Sequence, residues 1–104
     1  MQRFAFTMIL LDGFADEYKK RHDAIWPELT HLLNQKGIHD YSIFLDESTN
    51  TLFGYLTIEN IKELDELPNE PLMQKWWSYM KDIMETNADN SPKTVSLREV
   101  FHLP

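Results

Sequence analysis

"IHDYSIFLDESTNTLFGYLTI", residues 38–58, places two runs rich in β-branched and aromatic residues, 38–45 and 51–58, on either side of the polar stretch "DESTN". That pattern predicts two antiparallel strands joined by a short turn. Upstream, residues 3–11 have the same composition and stop at Asp12-Gly13, a turn signal that also suits the start of a helix. From Phe14 to Ile25 the apolar Phe14, Tyr18 and Ile25 fall on one helical face and Asp16, Lys20 and Asp23 on the other. Pro27 disfavours helical geometry at Trp26 but suits a first helical turn, so the chain bends at Trp26 and restarts with Leu29, Leu32 and Leu33 inward, until Gly37 ends the second helix.

Downstream of the hairpin, Asn60 with Glu63 reads as a capping box. After Pro68 and Pro71, "LMQKWWSYMKDIM" (72–84) repeats apolar residues at helical spacing through Leu72, Trp76, Met80 and Ile83. The loop "NADNSP" (87–92) leads to a last strand over 94–103. The order strand, helix, strand, strand, helix, strand is that of a ferredoxin-like α+β domain: one antiparallel sheet with helices on one face, spanning residues 1–104 as a single domain.

The strands lack the apolar-in, polar-out alternation of a sheet covered on one side only. In the first, Phe4, Phe6, Met8 and Leu10 point one way, and Ala5, Ile9 and Leu11 the other; in the third, Leu52, Leu56 and Ile58 oppose Phe53 and Tyr55. Helices cover one face. The other calls for a second sheet, most simply that of an identical subunit, which predicts a homodimer with a cavity between sheet and helices or between sheets.

Bulk properties restrict the partners. Ten Lys and Arg against seventeen Asp and Glu give a net charge of −7, which repels phosphate backbones and anionic membranes, so neither nucleic acid nor membrane is expected as a partner. A chain without cysteine has no disulfide framework, thiolate metal site or thiol nucleophile, and fits a cytoplasmic setting. The early run "FAFTMILL" follows a single Arg3, has no small-residue cleavage site after it, and falls short of the roughly 18 residues a membrane span needs; it reads as a strand.

Glycines at 13, 37 and 54 alone cannot form a P-loop or a dinucleotide fingerprint, so no nucleotide cofactor is expected. The segment from Asp46 lacks the glycine and glutamate of a calcium loop, and His22, His31, His39 and His102 show no metal-ligand spacing, so no metal is predicted. Tyr18 and His22 lie one helical turn apart and share a side of the first helix, where both can meet one small ligand; equally, Tyr18 reads as a core aromatic and His22 as a solvated flank. Trp76 sits mid-arc on its helix and Trp77, about 100° away, at the edge, where an indole offers an apolar plate and an N–H to a sugar, or simply packs. Tyr41 shares a strand face with His39 and Ile43 and reads as sheet packing as readily as site.

Together, Tyr18-x-x-x-His22 leading into "IWPEL", Tyr41 in "YSIFLD", the pair in "KWW" and the ending "NADNSP…LREVFHLP" resemble the L-rhamnose mutarotase family over almost the whole chain, with a departure at Ala88, where a proline is expected. The resemblance implies a dimeric α+β barrel and a sugar substrate, L-rhamnose, with His22 as proton donor and Tyr18, Tyr41, Trp76 and Trp77 binding the sugar. Anomer exchange needs no redox or phosphate cofactor, only a group that gives and takes protons near neutral pH, and histidine, with an ordinary pKa of about 6.5, matches. The partner base is open to a tyrosine, a carboxylate or a water. Two other readings share the fold class: a cofactor-free monooxygenase or haem-degrading protein, and a non-catalytic carbohydrate sensor.

Overall fold

A computed structural model describes residues 1–104. The chain runs β1 (Gln2–Ile9), α1 (Ala15–Asp23), α2 (Pro27–Gln35), β2 (Ile38–Asp46), β3 (Thr51–Ile58), the single turn α3 (Glu63–Glu66), a 3₁₀ turn (Leu67–Asn69), α4 (Pro71–Met80) and β4 (Val95–Leu97). The four strands form one sheet in the order β2-β3-β1-β4 with every neighbouring pair antiparallel, the ferredoxin-like arrangement expected from the element order.

The local signals act where they were read. Gly13 and Gly37 take positive φ, and Gly37 follows Lys36, the C-cap of α2. Trp26 is extended (φ −62°, ψ 129°) and Pro27 opens α2 at a position where its missing N–H costs nothing. In the β2–β3 turn, Asp46 accepts hydrogen bonds from the backbone N–H and the hydroxyl of Ser48.

Helices cover one face of the sheet. Tyr18 of α1, Leu29 of α2 and Met73, Trp76, Trp77 and Met80 of α4 pack on Phe6, Met8, Leu10, Leu52, Leu56 and Ile58 in one apolar core. The opposite face is uncovered within the chain: Phe44 is 69% exposed, and Phe53, Tyr55 and Leu97 are exposed beside it.

Four details depart from the sequence reading. Asn60 does not form a capping box with Glu63; its side-chain oxygen accepts the N–H of Lys62 instead, and the helix after it lasts one turn before Pro68. The helix over 72–84 ends at Met80. Beyond it the chain turns back along β1, with Leu11 N–H donating to Ile83 O and Glu85 N–H to Ile9 O, so Ile83 and Met84 are buried by strand-like bonding rather than by helical phase. The last strand is Val95–Leu97, not 94–103: its antiparallel register sets Ala5 against Leu97, so residues past 101 would lie beyond the N-terminus, and after Leu97 the link to β1 passes to side chains, Arg3 donating to Glu99. Val100, Phe101 and Leu103 are left exposed.

The fourth departure lies in β2. His39 pairs with Thr57 and Ser42 with Tyr55, so Asp40 and Tyr41 together occupy the space opposite Leu56: a β-bulge, with Asp40 at φ 50°. Tyr41 therefore shares the helix-covered side with Ile43, while His39 falls on the side of Thr57, where its Nε2 lies 3.1 Å from Glu59. Simple alternation had placed His39 and Tyr41 together, and the extra residue separates them.

Gly54 bears on the site from beneath. A methyl at this position would lie 2.8 Å from both Cε atoms of Phe6, whose ring is held between Phe4 (centroids 5.5 Å) and Tyr41 (6.2 Å). Gly54→Ala is expected to destabilise the fold by about 1–3 kcal/mol, as overpacking does. Equilibrium denaturation checks this, and an unchanged midpoint would show that the Phe6 ring has room to move.

Candidate functional site

Between the covered sheet face and the helices lies a cavity of about 1180 Å³. Phe6, Met8 and Tyr41 line it from the sheet, Tyr18 and His22 from α1, and Trp76 and Trp77 from α4, so all five sequence-selected residues face one space. Asp40 and the loop residues Asn87 and Ser91 also line it.

His22 is fixed from three directions. Its Nδ1 lies 3.0 Å from the carbonyl oxygen of Tyr18, one turn back along α1. A carbonyl only accepts, so Nδ1 carries the proton and the neutral ring keeps its lone pair on Nε2. The imidazole stacks on the Tyr18 ring (centroids 4.2 Å, planes 23° apart) and meets the Trp76 ring edge to face (5.3 Å, 89°). Half-buried among aromatics, the imidazole loses hydration that its cation needs; burial lowers its pKa, against smaller opposing effects from the Tyr18 carbonyl and the Asp23 carboxylate.

The two tyrosines are pushed the other way. Burial raises the Tyr18 phenol, with the neighbouring Tyr41 adding to the effect, and burial raises Tyr41 as well. Tyr41 as a whole residue is 39% exposed and also lines the cavity. Both remain neutral phenols at physiological pH, able to donate as well as accept.

Trp76 and Trp77 are both buried, at 5% and 8% exposure, so Trp77 is core as well as cavity wall rather than a surface rim. Around Trp76 the structure assembles residues that the sequence reading passed over. Trp26, thrown inward at the α1–α2 bend, meets Trp76 edge to face (5.1 Å) and stacks on Tyr79 (5.8 Å), which lies 5.6 Å from Trp76. The signals were present in Trp26-Pro27 and in Tyr79 three residues beyond Trp76, on the same side of α4. Glu17 accepts from Arg21 at 2.7 Å. No three His, Asp or Glu side chains converge as a metal site.

The sequence profile of the L-rhamnose mutarotase family matches residues 3–103. The chain belongs to the L-rhamnose mutarotase family. Among its relatives, the L-rhamnose mutarotase of Flavobacterium johnsoniae is 61% identical over 101 residues, covering 97% of this chain and 94% of that one. That of Sinorhizobium fredii is 57% identical over 103 residues, covering 99% of both. The crystal structure of an L-rhamnose mutarotase from Formosa agariphila superposes with a TM-score of 0.92 at 45% identity over 100% of both chains. A Mycobacterium tuberculosis protein shares the fold alone, with a TM-score of 0.60 at 11% identity over 98% of this chain and 97% of that one. Within this mutarotase family fold, the histidine and the indoles share one chamber.

The lowered His22 pKa has a sign for stability. The unfolded chain binds this proton more readily than the folded one, so the contribution is intact above the ordinary value of 6.5 and falls as pH drops from there through the folded-state value. In an NMR titration the His22 C2–H resonance is expected to move with a midpoint below 6.5. A midpoint at or above that value would mean that the ring is hydrated.

Proposed function

We propose that this chain is an isomerase that interconverts the α and β anomers of L-rhamnose by opening and reclosing the pyranose ring, with His22 as the proton-transferring group. The observation that carries the reading is the His22 ring, oriented by its Nδ1–H bond to Tyr18 so that Nε2 is free, in a chamber lined by indoles and phenols.

Ring opening removes the proton from the anomeric hydroxyl, forms the C1 carbonyl, breaks the bond from C1 to the ring oxygen and delivers a proton to that oxygen. After the carbonyl turns, the steps reverse and give the other anomer. Nε2 accepts as the neutral ring and donates as the cation, so one imidazole serves both directions. Burial lowers the His22 pKa, and the Tyr18 carbonyl and the Asp23 carboxylate oppose that shift. Tyr18 and Tyr41, held as phenols, serve as hydrogen-bond donors to sugar hydroxyls rather than as the base. Trp76 and Trp77 supply apolar walls that suit C–H faces and the methyl group of L-rhamnose.

In this reading residues 1–104 form one mutarotase domain that works as a cytoplasmic homodimer, with no nucleic acid or membrane partner. The uncovered sheet face carrying Phe44, Phe53 and Tyr55, and the exposed Val100, Phe101 and Leu103 of the C-terminal tail, support the dimer. No helix is long and apolar enough to cross a membrane. The chain carries a net charge of −7.

His22→Ala is expected to slow anomer exchange of L-rhamnose by about 100-fold to 10,000-fold while sugar still binds, measured by saturation-transfer NMR. Unchanged exchange in that variant would remove His22 from the mechanism, and binding without exchange in the unmutated protein would favour a sugar sensor. In sedimentation at micromolar concentration the protein is expected at twice its 12.4 kDa chain mass; a monomer alone would contradict the dimer.

A further inference from the structure

Next to His22 on α1, and turned away from the cavity, Arg21 makes more polar contacts than any other side chain of the site region. Its Nε donates to Glu17 at 2.7 Å; Nη1 donates to the Tyr79 carbonyl and to Asp82, both at 2.8 Å; Nη2 donates to the other Asp82 oxygen at 3.2 Å. The guanidinium carbon sits 4.6 Å from the Tyr79 ring centroid. Only 11% of the side chain is exposed, although both carboxylate partners are far more open, at 39% and 63%. The carbonyl it binds belongs to the last turn of α4, where a cation also complements the helix dipole.

These bonds connect the two helices that build the chamber. Arg21 and Glu17 belong to α1; the Tyr79 carbonyl belongs to α4, and Asp82 lies just beyond it. The Tyr79 ring under the guanidinium packs on Trp26 and Trp76, and Trp76 meets His22 edge to face. The chain of contacts therefore leaves α1 at Arg21, crosses α4 and returns to α1 at the neighbouring residue.

We propose that Arg21 is a positioning residue for the reaction: its fork onto Asp82 and the Tyr79 carbonyl holds α1 against the end of α4, and so sets the His22 ring against Trp76. The fork geometry is specific to arginine, since a lysine ammonium is a single point charge that cannot hold both Asp82 oxygens and a carbonyl in one plane. The Tyr18 carbonyl orients the His22 ring within α1, but only the seating of α1 against α4 sets that ring against Trp76. A displacement of order 1 Å in a proton-transferring group costs about 100-fold in rate.

This inference rests on the mutarotase reading, and two readouts separate them. In the full chain, Arg21→Gln is expected to lower kcat for L-rhamnose anomer exchange by about tenfold to a hundredfold with KM changed less than about twofold. In the same variant the His22 ring protons, shifted in the starting protein by the Tyr18 and Trp76 ring currents, are expected to move toward ordinary imidazole positions. Arg21→Lys is expected to lose several-fold in kcat, and carries the test if Arg21→Gln does not fold. A folded variant with unchanged kcat and unchanged His22 resonances overturns the proposal, as does a rate loss with the His22 resonances unmoved, which would make Arg21 merely structural. If the unmutated protein exchanges no anomers, the reading of the reaction fails, and the His22 resonances still decide whether Arg21 sets that ring.

Discussion

The hydrogen bond from Nδ1 of His22 to the Tyr18 carbonyl is the constraint on which the site depends. It decides which nitrogen is committed and which is free, because a carbonyl leaves the tautomer no choice. It also aligns the imidazole with the Tyr18 ring one turn away, so that two side chains of one helix reach the cavity as a stacked pair. The ring then meets Trp76, which belongs to a different helix, and it is this meeting that turns a local helical motif into the wall of a chamber.

Burial acts on His22, Tyr18 and Tyr41 in a consistent sense. It disfavours the charged form of each, lowering His22 and raising Tyr18 and Tyr41. A neutral sugar suits such a space better than a phosphorylated or carboxylated substrate, whose charge would find no buried cation in it. Arg21, the nearest guanidinium in the sequence, spends its donors on Glu17, Asp82 and a backbone carbonyl instead.

The parts of this arrangement that were legible in the sequence are those set by local periodicity. Tyr18 and His22 are four residues apart on one helix, and Pro27 opens the next helix after the bend at Trp26, although α1 itself already ends at Asp23. The hairpin turn at "DESTN" and the order of elements fixed the sheet. What escaped was set by pairing between distant segments. The bulge at Asp40 depends on how β2 meets β3, and it reassigns His39 to the other face while aiming Tyr41 inward. The end of α4 at Met80 depends on the chain returning to pair with β1, although Ile83 keeps the helical spacing. Trp26, Tyr79 and Arg21 gain their roles only when α1 and α4 are side by side, and nothing in their immediate neighbours announces it.

The account stands or falls on where the sugar lies. A crystal structure of the complex with L-rhamnose is the most direct measurement, and it is expected to show the anomeric hydroxyl or the ring oxygen within about 3.2 Å of Nε2 of His22, directly or through one water. Trp76 or Trp77 should face the pyranose. A sugar bound elsewhere, with His22 out of reach of both oxygens, would contradict it.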